Sequence, residues 1–226
     1  MRQRGGGLQN LRAKFETGVD QSDEALRTLV KEHFAPGFAN LDAVSAPPLS
    51  WEEARKLLRP QLMPAECLER LPLAHKAFGE GLVQGFVVDR PDSYAWVLAE
   101  DVKRCGLTLA ERDRVALENL EVVSKDIPLM ESGGADPFLS VGGQDGYDAA
   151  RLLSPRFRER AAAKLGSPLF AAIPNRGFLF LWPAKASPDL RARARSRATP
   201  DMRGQPYPLT ATVFEVTPAS IRPVRD

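Results

Sequence analysis

A run of glycine and aspartate, Gly142-Gly143-Gln144-Asp145-Gly146-Tyr147-Asp148, is the stretch whose residue types and spacing come closest to chemistry. It follows an apolar segment and leads into a helical pattern. In that context a helix N-terminus offers free N–H groups and a positive dipole to an anion. The loop lacks the Gly-Lys-Ser/Thr ending of a phosphate loop and the spacing of a dinucleotide fingerprint. Asp145 and Asp148 also stand where a phosphate would sit, and carboxylates there satisfy the N–H groups themselves and repel an anion. Two readings remain. The plainer is an Asp-Gly turn with acidic capping. The sharper makes Asp145 and Asp148 a cation site or an acid–base pair. The plainer one is the expectation.

The turn Ile173-Pro174-Asn175-Arg176 has the same two sides. Asn followed by Arg and Gly supplies turn geometry, and a surface arginine is commonly solvated. The functional alternative gives Arg176 a bidentate fork for a carboxylate or phosphate, oriented by Asn175.

Nucleophile and metal chemistry find little support. There is no G-x-S-x-G elbow. Of the two histidines, His33 falls near the end of an amphipathic helix and His75 in the connection before the sheet, neither beside a placed partner. Cys67 and Cys105 form no CxxC and read as buried or half-buried free thiols of a reducing compartment. Neither zinc nor any other metal or cofactor is expected.

The strongest local charge is Arg191, Arg193, Arg195, Arg197 and Arg203. Ala and Arg favour helix, and i, i+2 spacing on a helix scatters these side chains around the cylinder. A solvated helix is expected, with contact to nucleic acid or an acidic partner as the alternative. No aromatic residues interleave it in sequence, as a single-strand binder would need.

The elements that must position these residues follow from periodicity and caps. Ser22 precedes a helical pattern of Ala25, Leu26, Leu29, Val30 and Phe34, stopped by Pro36-Gly37. Ser50 and Glu53 form a capping box for a helix ending before Pro60. Leu82–Val88, the turn Asp89-Arg90-Pro91-Asp92 and Tyr94–Leu98 make a hairpin. A short helical turn at Glu100–Arg104 precedes a longer helix capped by Thr108. Ile127–Met130 and Pro137–Val141 are short strands, and a helix runs from Tyr147 to Leu165, closed by Gly166. Leu169–Ile173 and Phe178–Trp182 pair across the Pro174–Gly177 turn. A helix over Pro188–Arg197 and a strand over Ala211–Val216 complete the order. No βαβ alternation or fixed repeat appears.

Bulk composition bounds the class. The chain has 226 residues, 43% hydrophobic and 27% charged, which suits a globular core with no need of disulfides. With 31 Lys+Arg against 29 Asp+Glu the net charge is +2, so nucleic acid is not the expected partner. No stretch approaches the ~20 apolar residues of a membrane span. Met1–Gly7 is not followed by the apolar region of a signal peptide, which makes the cytoplasm the expected location.

Taken in order, Phe86-Val87-Val88-Asp89, Asp92-Ser93-Tyr94-Ala95-Trp96-Val97, Ala116-Leu117-Glu118-Asn119-Leu120, Asp145 to Leu153 and Ala172-Ile173-Pro174-Asn175-Arg176 resemble the bacterial YtpQ-like family, a domain of unknown function. The resemblance spans about residues 50 to 217. It implies a cytosolic bacterial protein with an α+β fold and brings no activity, cofactor or catalytic residue. It draws attention to Asp145, Tyr147, Asp148, Asn175 and Arg176, which lie in the matching motifs.

The expectation is therefore an α+β fold, with a mixed, largely antiparallel sheet packed by helices and a helical N-terminal appendage. Residues 1–20 are expected to be poorly ordered, 21–65 helical, and 66–226 the α+β domain. The leading functional reading is a non-enzymatic binding or adaptor module for a protein or small molecule. A carboxylate hydrolase using Asp145 or Asp148, with Arg176 as anion clamp, comes second. Nucleic-acid association through Arg191–Arg203 comes third. The sequence leaves the oligomeric state open.

Overall fold

Ser50 opens α1 (Trp51–Leu57) with the capping box its sequence predicts: Ser50 Oγ accepts from Glu53 N, and the Glu53 carboxylate accepts from Ser50 N. The computed structural model describes residues 50–69, 71–90, 94–104, 108–132, 134–204 and 206–224. All belong to the unit Ser50–Asp226. The helix expected after Ser22 and the poorly ordered stretch expected over 1–20 lie outside the described residues.

The helical stretch expected to reach residue 65 needs correction. The backbone turns extended at Leu58, and β1 (Leu58–Pro64) pairs antiparallel with β3 (Leu82–Asp89) along its whole length. Pro60 and Pro64 are tolerated because, among the described residues, β1 pairs on one side only, so their missing N–H groups break no second ladder there. On its other edge, β3 pairs first with β2 (His75–Gly79) and then with β4 (Tyr94–Trp96). The β3–β4 hairpin is as expected. His75, expected in a connection, lies on β2, an exposed strand too short and polar to be read from pattern.

After the short α2 (Ala99–Arg104), Thr108 and Glu111 form a second capping box and start α3 (Leu109–Ser124). That helix buries Val115, Ala116 and Leu120. Asn119 Nδ2 donates to the carbonyls of Arg55 and Leu58, at 2.7 and 2.8 Å, and so pins α3 to the α1–β1 junction.

The second sheet has six strands, ordered β10-β9-β7-β8-β6-β5, and every ladder is antiparallel. They are β5 (Leu129–Ser132), β6 (Phe138–Val141), β7 (Leu169–Ala172), β8 (Phe180–Pro183), β9 (Val213–Val216) and β10 (Ile221–Pro223). The fold is thus α+β with antiparallel pairing, as expected, and among the described residues the strands form two sheets. Strand alternation divides the larger sheet into two apolar faces. Leu139, Leu169, Ala171, Leu181 and Phe214 join one core with Leu62, Leu82 and Val87 of the first sheet. On the opposite face Ala172, Trp182 and Val213 pack with Leu190 and Ala194 of α5 (Pro188–Gly204).

The helix expected over Tyr147–Leu165 is broken in two. A 3-10 segment, Ala149–Leu153, precedes α4 (Pro155–Leu165). Proline at the first helical position disfavours helical backbone at Ser154, which is extended, and Ser154 Oγ accepts from Phe157 N as a new cap. Gly166, at φ 83°, closes α4 as expected. On α5, Arg191, Arg193, Arg195 and Arg197 are exposed while Leu190, Ala194 and Ala198 are buried, so this stretch is a helix whose arginines flank its buried row on either side. It continues beyond Arg197 to Gly204.

Candidate functional site

The loop after β6 folds around an arginine. Asp145 Oδ1 accepts from Tyr147 N at 3.0 Å, an Asx-type turn, and Gly146 takes φ 81°. Asp148 does not cap the helix that follows it. Its Oδ1 accepts from Gly143 N at 3.1 Å and from Arg151 Nη1 at 2.7 Å. Arg151 also grips Asp145 with both ends of its fork, Nη1 to Oδ1 at 2.9 Å and Nη2 to Oδ2 at 2.5 Å. The Arg151 side chain is fully buried and Asp148 is 1% exposed, whereas Asp145 keeps 37% of its side chain in solvent. The Asp-Gly turn is as expected, and the acidic capping of the following helix is corrected: both carboxylates pair with a buried guanidinium. A helix N-terminus is the weaker claimant because a full charge out of water needs a partner more than a partial one does.

The hairpin tip meets this loop directly. Ala149 N donates to the carbonyl of Arg176 at 3.1 Å, and Arg176 N donates to the carbonyl of Tyr207 at 3.2 Å. Asn175 is buried and accepts from Gly177 N through Oδ1, which shapes the turn. The Arg176 guanidinium lies between two rings, 5.1 Å from the Trp96 centroid and 4.8 Å from that of Tyr207, and its Nε donates to the carbonyl of Leu62. Tyr147 is 4% exposed, with Arg59 stacked 5.4 Å over its ring and Arg59 in turn paired with Asp89. Gln61 Nε2 donates to the carbonyl of Gly146 at 3.0 Å.

The Asp145–Asp148 loop and the Asn175–Arg176 turn are thus neighbours joined through backbone, while their side chains face different partners: Asp145 and Asp148 meet Arg151, Tyr147 meets Arg59, Asn175 meets its own turn, and Arg176 meets Trp96 and Tyr207. Sequence reasoning missed the role of Arg151 at their centre, and of Gln61, Trp96 and Tyr207 around them. The Asp148–Arg151 spacing of three residues was the available signal. The others become neighbours only through the chain's path. Among the described residues, no group of three or more His, Cys, Asp and Glu side chains is placed to hold a metal ion. No described helix is long and apolar enough to cross a membrane.

Two carboxylates share one guanidinium, and this separates their protonation. Burial pushes the Asp148 carboxyl up, Arg151 opposes that, and the like charge of Asp145 adds to it, leaving its pKa at about 6. Burial acts on Asp145 in the same sense, but its bonds to Arg151 and that arginine's charge outweigh it and hold the carboxyl below its ordinary range. The folded state therefore binds the Asp148 proton more tightly than the unfolded chain does. That stability is fully present below the ordinary carboxylate range and is lost as pH rises through about 6. Asp145 contributes oppositely, and its share is lost only as pH falls below the ordinary range. Urea unfolding should show stability falling by roughly 1–3 kcal/mol between about pH 4 and pH 7. Asp148→Asn should flatten that slope, and an unchanged slope in the variant would refute the assignment.

The comparisons with known proteins point to bacteria. Over 97 residues the chain is 33% identical to a UPF0354 protein of Listeria monocytogenes serotype 4b (strain CLIP80459), covering 42% of this chain and 36% of that one. UPF0354 proteins of Listeria monocytogenes serovar 1/2a (strain ATCC BAA-679 / EGD-e) and Listeria innocua serovar 6a (strain ATCC BAA-680 / CLIP 11262) match over the same length, at 32% and 30% identity. The matched stretch spans about a third of the length of these relatives, which belong to an uncharacterised bacterial family. No family model matches the chain, and no solved structure matches it.

Proposed function

We propose that this chain is a cytoplasmic, YtpQ-like binding or adaptor module for a protein or small-molecule partner. In it the Asp145–Arg151–Asp148 cluster fastens the fold and breaks no bonds. One observation carries this reading: a fully buried Arg151 engages both oxygens of Asp145 and Oδ1 of Asp148. A general base needs an oxygen within hydrogen-bond reach of its substrate. Here Asp148 is buried, and Asp145 would have to release a bidentate arginine. The similarity to UPF0354 proteins supports kinship with a bacterial family and leaves the activity open.

The alternative of a carboxylate hydrolase rests on the exposed edge of Asp145 and on the nearness of the Arg176 turn. A panel of phosphoesters, esters and glycosides incubated with the purified protein separates the two. No turnover above blank is expected, with Asp145→Asn behaving like the parent chain. Turnover that disappears in Asp145→Asn would sink the module reading. The weaker alternative, nucleic-acid association through Arg191–Arg203, requires binding that falls steeply with salt.

A further inference from the structure

The outer face of the larger sheet is an aromatic platform. Phe138 lies 4.8 Å from Phe180 by ring centroids, Phe178 stacks nearly parallel to Phe180, and Trp182 lies 5.5 Å beyond it. α5 crosses this platform on a row spaced four residues apart, Leu190, Ala194 and Ala198, all buried. Two of the three stations carry only a methyl group. The helix therefore cannot fill the space above the phenylalanine rings, and a cavity of about 410 Å³ remains. That lies within the range of small-molecule pockets, ~300–1,000 Å³.

Arg193 and Arg197, one helical turn apart, line the same cavity. Asp136 lies close enough for Arg193 and Arg191 to help hold its carboxyl below the usual range, after its bonds to Ser187, which also fix its orientation at the start of α5. The cavity thus combines an aromatic floor, a small-residue roof and a wall bearing two guanidiniums, one of which also faces Asp136. The adjoining Trp182 is 1% exposed, and its indole N–H has no acceptor among the described residues.

We propose that this cavity binds a small amphipathic anion, an apolar aliphatic body seated on Phe138, Phe178 and Phe180 with a single carboxylate head held by Arg193 and Arg197. The inference rests on reading the chain as a binding module and names its ligand class. Charge complementarity selects the head, since guanidinium forks match a carboxylate. The volume of about 410 Å³ matches a compact ligand. Sequence alone separated the arginines from any aromatic partner; the fold brings them together.

The test uses the full chain and calorimetric titration with decanoate and with decanol. Saturable decanoate binding is expected, with decanol about tenfold weaker or worse because it lacks the charge. Arg193→Gln with Arg197→Gln should weaken decanoate by about tenfold while leaving decanol and the circular dichroism spectrum unchanged. Ala194→Leu, which fills the roof, should abolish both. If that variant fails to fold, the arginine pair still decides. Equal binding of decanoate and decanol would overturn the proposal, as would no binding of either. Capture of a single-stranded oligonucleotide, lost in the arginine pair and without decanoate binding, would overturn it in favour of nucleic acid. Each of these failures concerns the cavity alone, because the module reading stands or falls on turnover.

Discussion

Arg151→Ala is expected to destabilise the protein by about 3–5 kcal/mol, the largest loss of any single substitution considered. The side chain is fully buried between two carboxylates, so its removal does more than delete three hydrogen bonds. It leaves the Asp148 carboxylate, 1% exposed, without its guanidinium and with only backbone N–H groups of Gly143 and Gln144 among its recorded donors. An uncompensated charge at that depth is worse than no charge at all. Asp148→Asn introduced into the alanine variant should therefore recover part of the loss, whereas against the native background it should do little at neutral pH. Urea unfolding of the two single variants and the double variant gives this coupling directly. A loss below about 0.5 kcal/mol, the scale of ordinary surface changes, would mean that the cluster does not hold the fold.

The second large effect is at Gly143. Its backbone needs no special conformation, so any penalty must come from contact. A Cβ there would sit 2.5 Å from Arg151 Nη1 and closer still to Asp148 Oδ1. Both atoms are fixed by the ion pairs, so neither can yield without breaking the cluster. Gly143→Ala is expected to cost about 1–3 kcal/mol, the usual range for overpacking. The same substitution should be less damaging when Arg151 is already methionine, because the guanidinium contact is gone and Asp148, no longer held by it, can shift from the added methyl. Gly146→Ala provides the contrast. At φ 81° and with nothing within 4 Å of the added methyl, its penalty comes from the backbone and should not depend on Arg151. Equal costs for Gly143→Ala in the two backgrounds would refute the steric account.

The sequence by itself determined whatever is local. The Ser50–Glu53 capping box and the Thr108 cap were legible because a cap and its partner lie three residues apart, a distance that helical geometry closes without help. The β3–β4 and β7–β8 hairpins were legible because turn chemistry and flanking apolar runs are contiguous. Arg191 to Arg197 could be assigned to a solvated helix because propensity and spacing agree over one segment.

Strands defined by their partners were not legible. β1 contains two prolines and counts as a strand only because β3 lies beside it, and β2 and β10 are too short and polar to carry a period. The break at Ser154 shows a competing local rule, in which Pro155 overrides an otherwise helical pattern.

For the candidate site, the sequence drew attention to five residues of one loop and one turn, and the fold gives most of them contacts other than those expected. Asp145 and Asp148 read as caps because the nearest donors in sequence are backbone N–H groups. The fold buries Arg151, and a buried guanidinium draws both carboxylates. Arg176 read as a solvated turn residue, with an anion fork as the alternative, yet its guanidinium packs on Trp96 and Tyr207 and reaches a carbonyl 114 residues away. The glycine-aspartate loop that first suggests a phosphate cradle is thus a clasp around an arginine. The reason is burial: which side chains lose water is fixed by the packing of two sheets, and no local pattern encodes that.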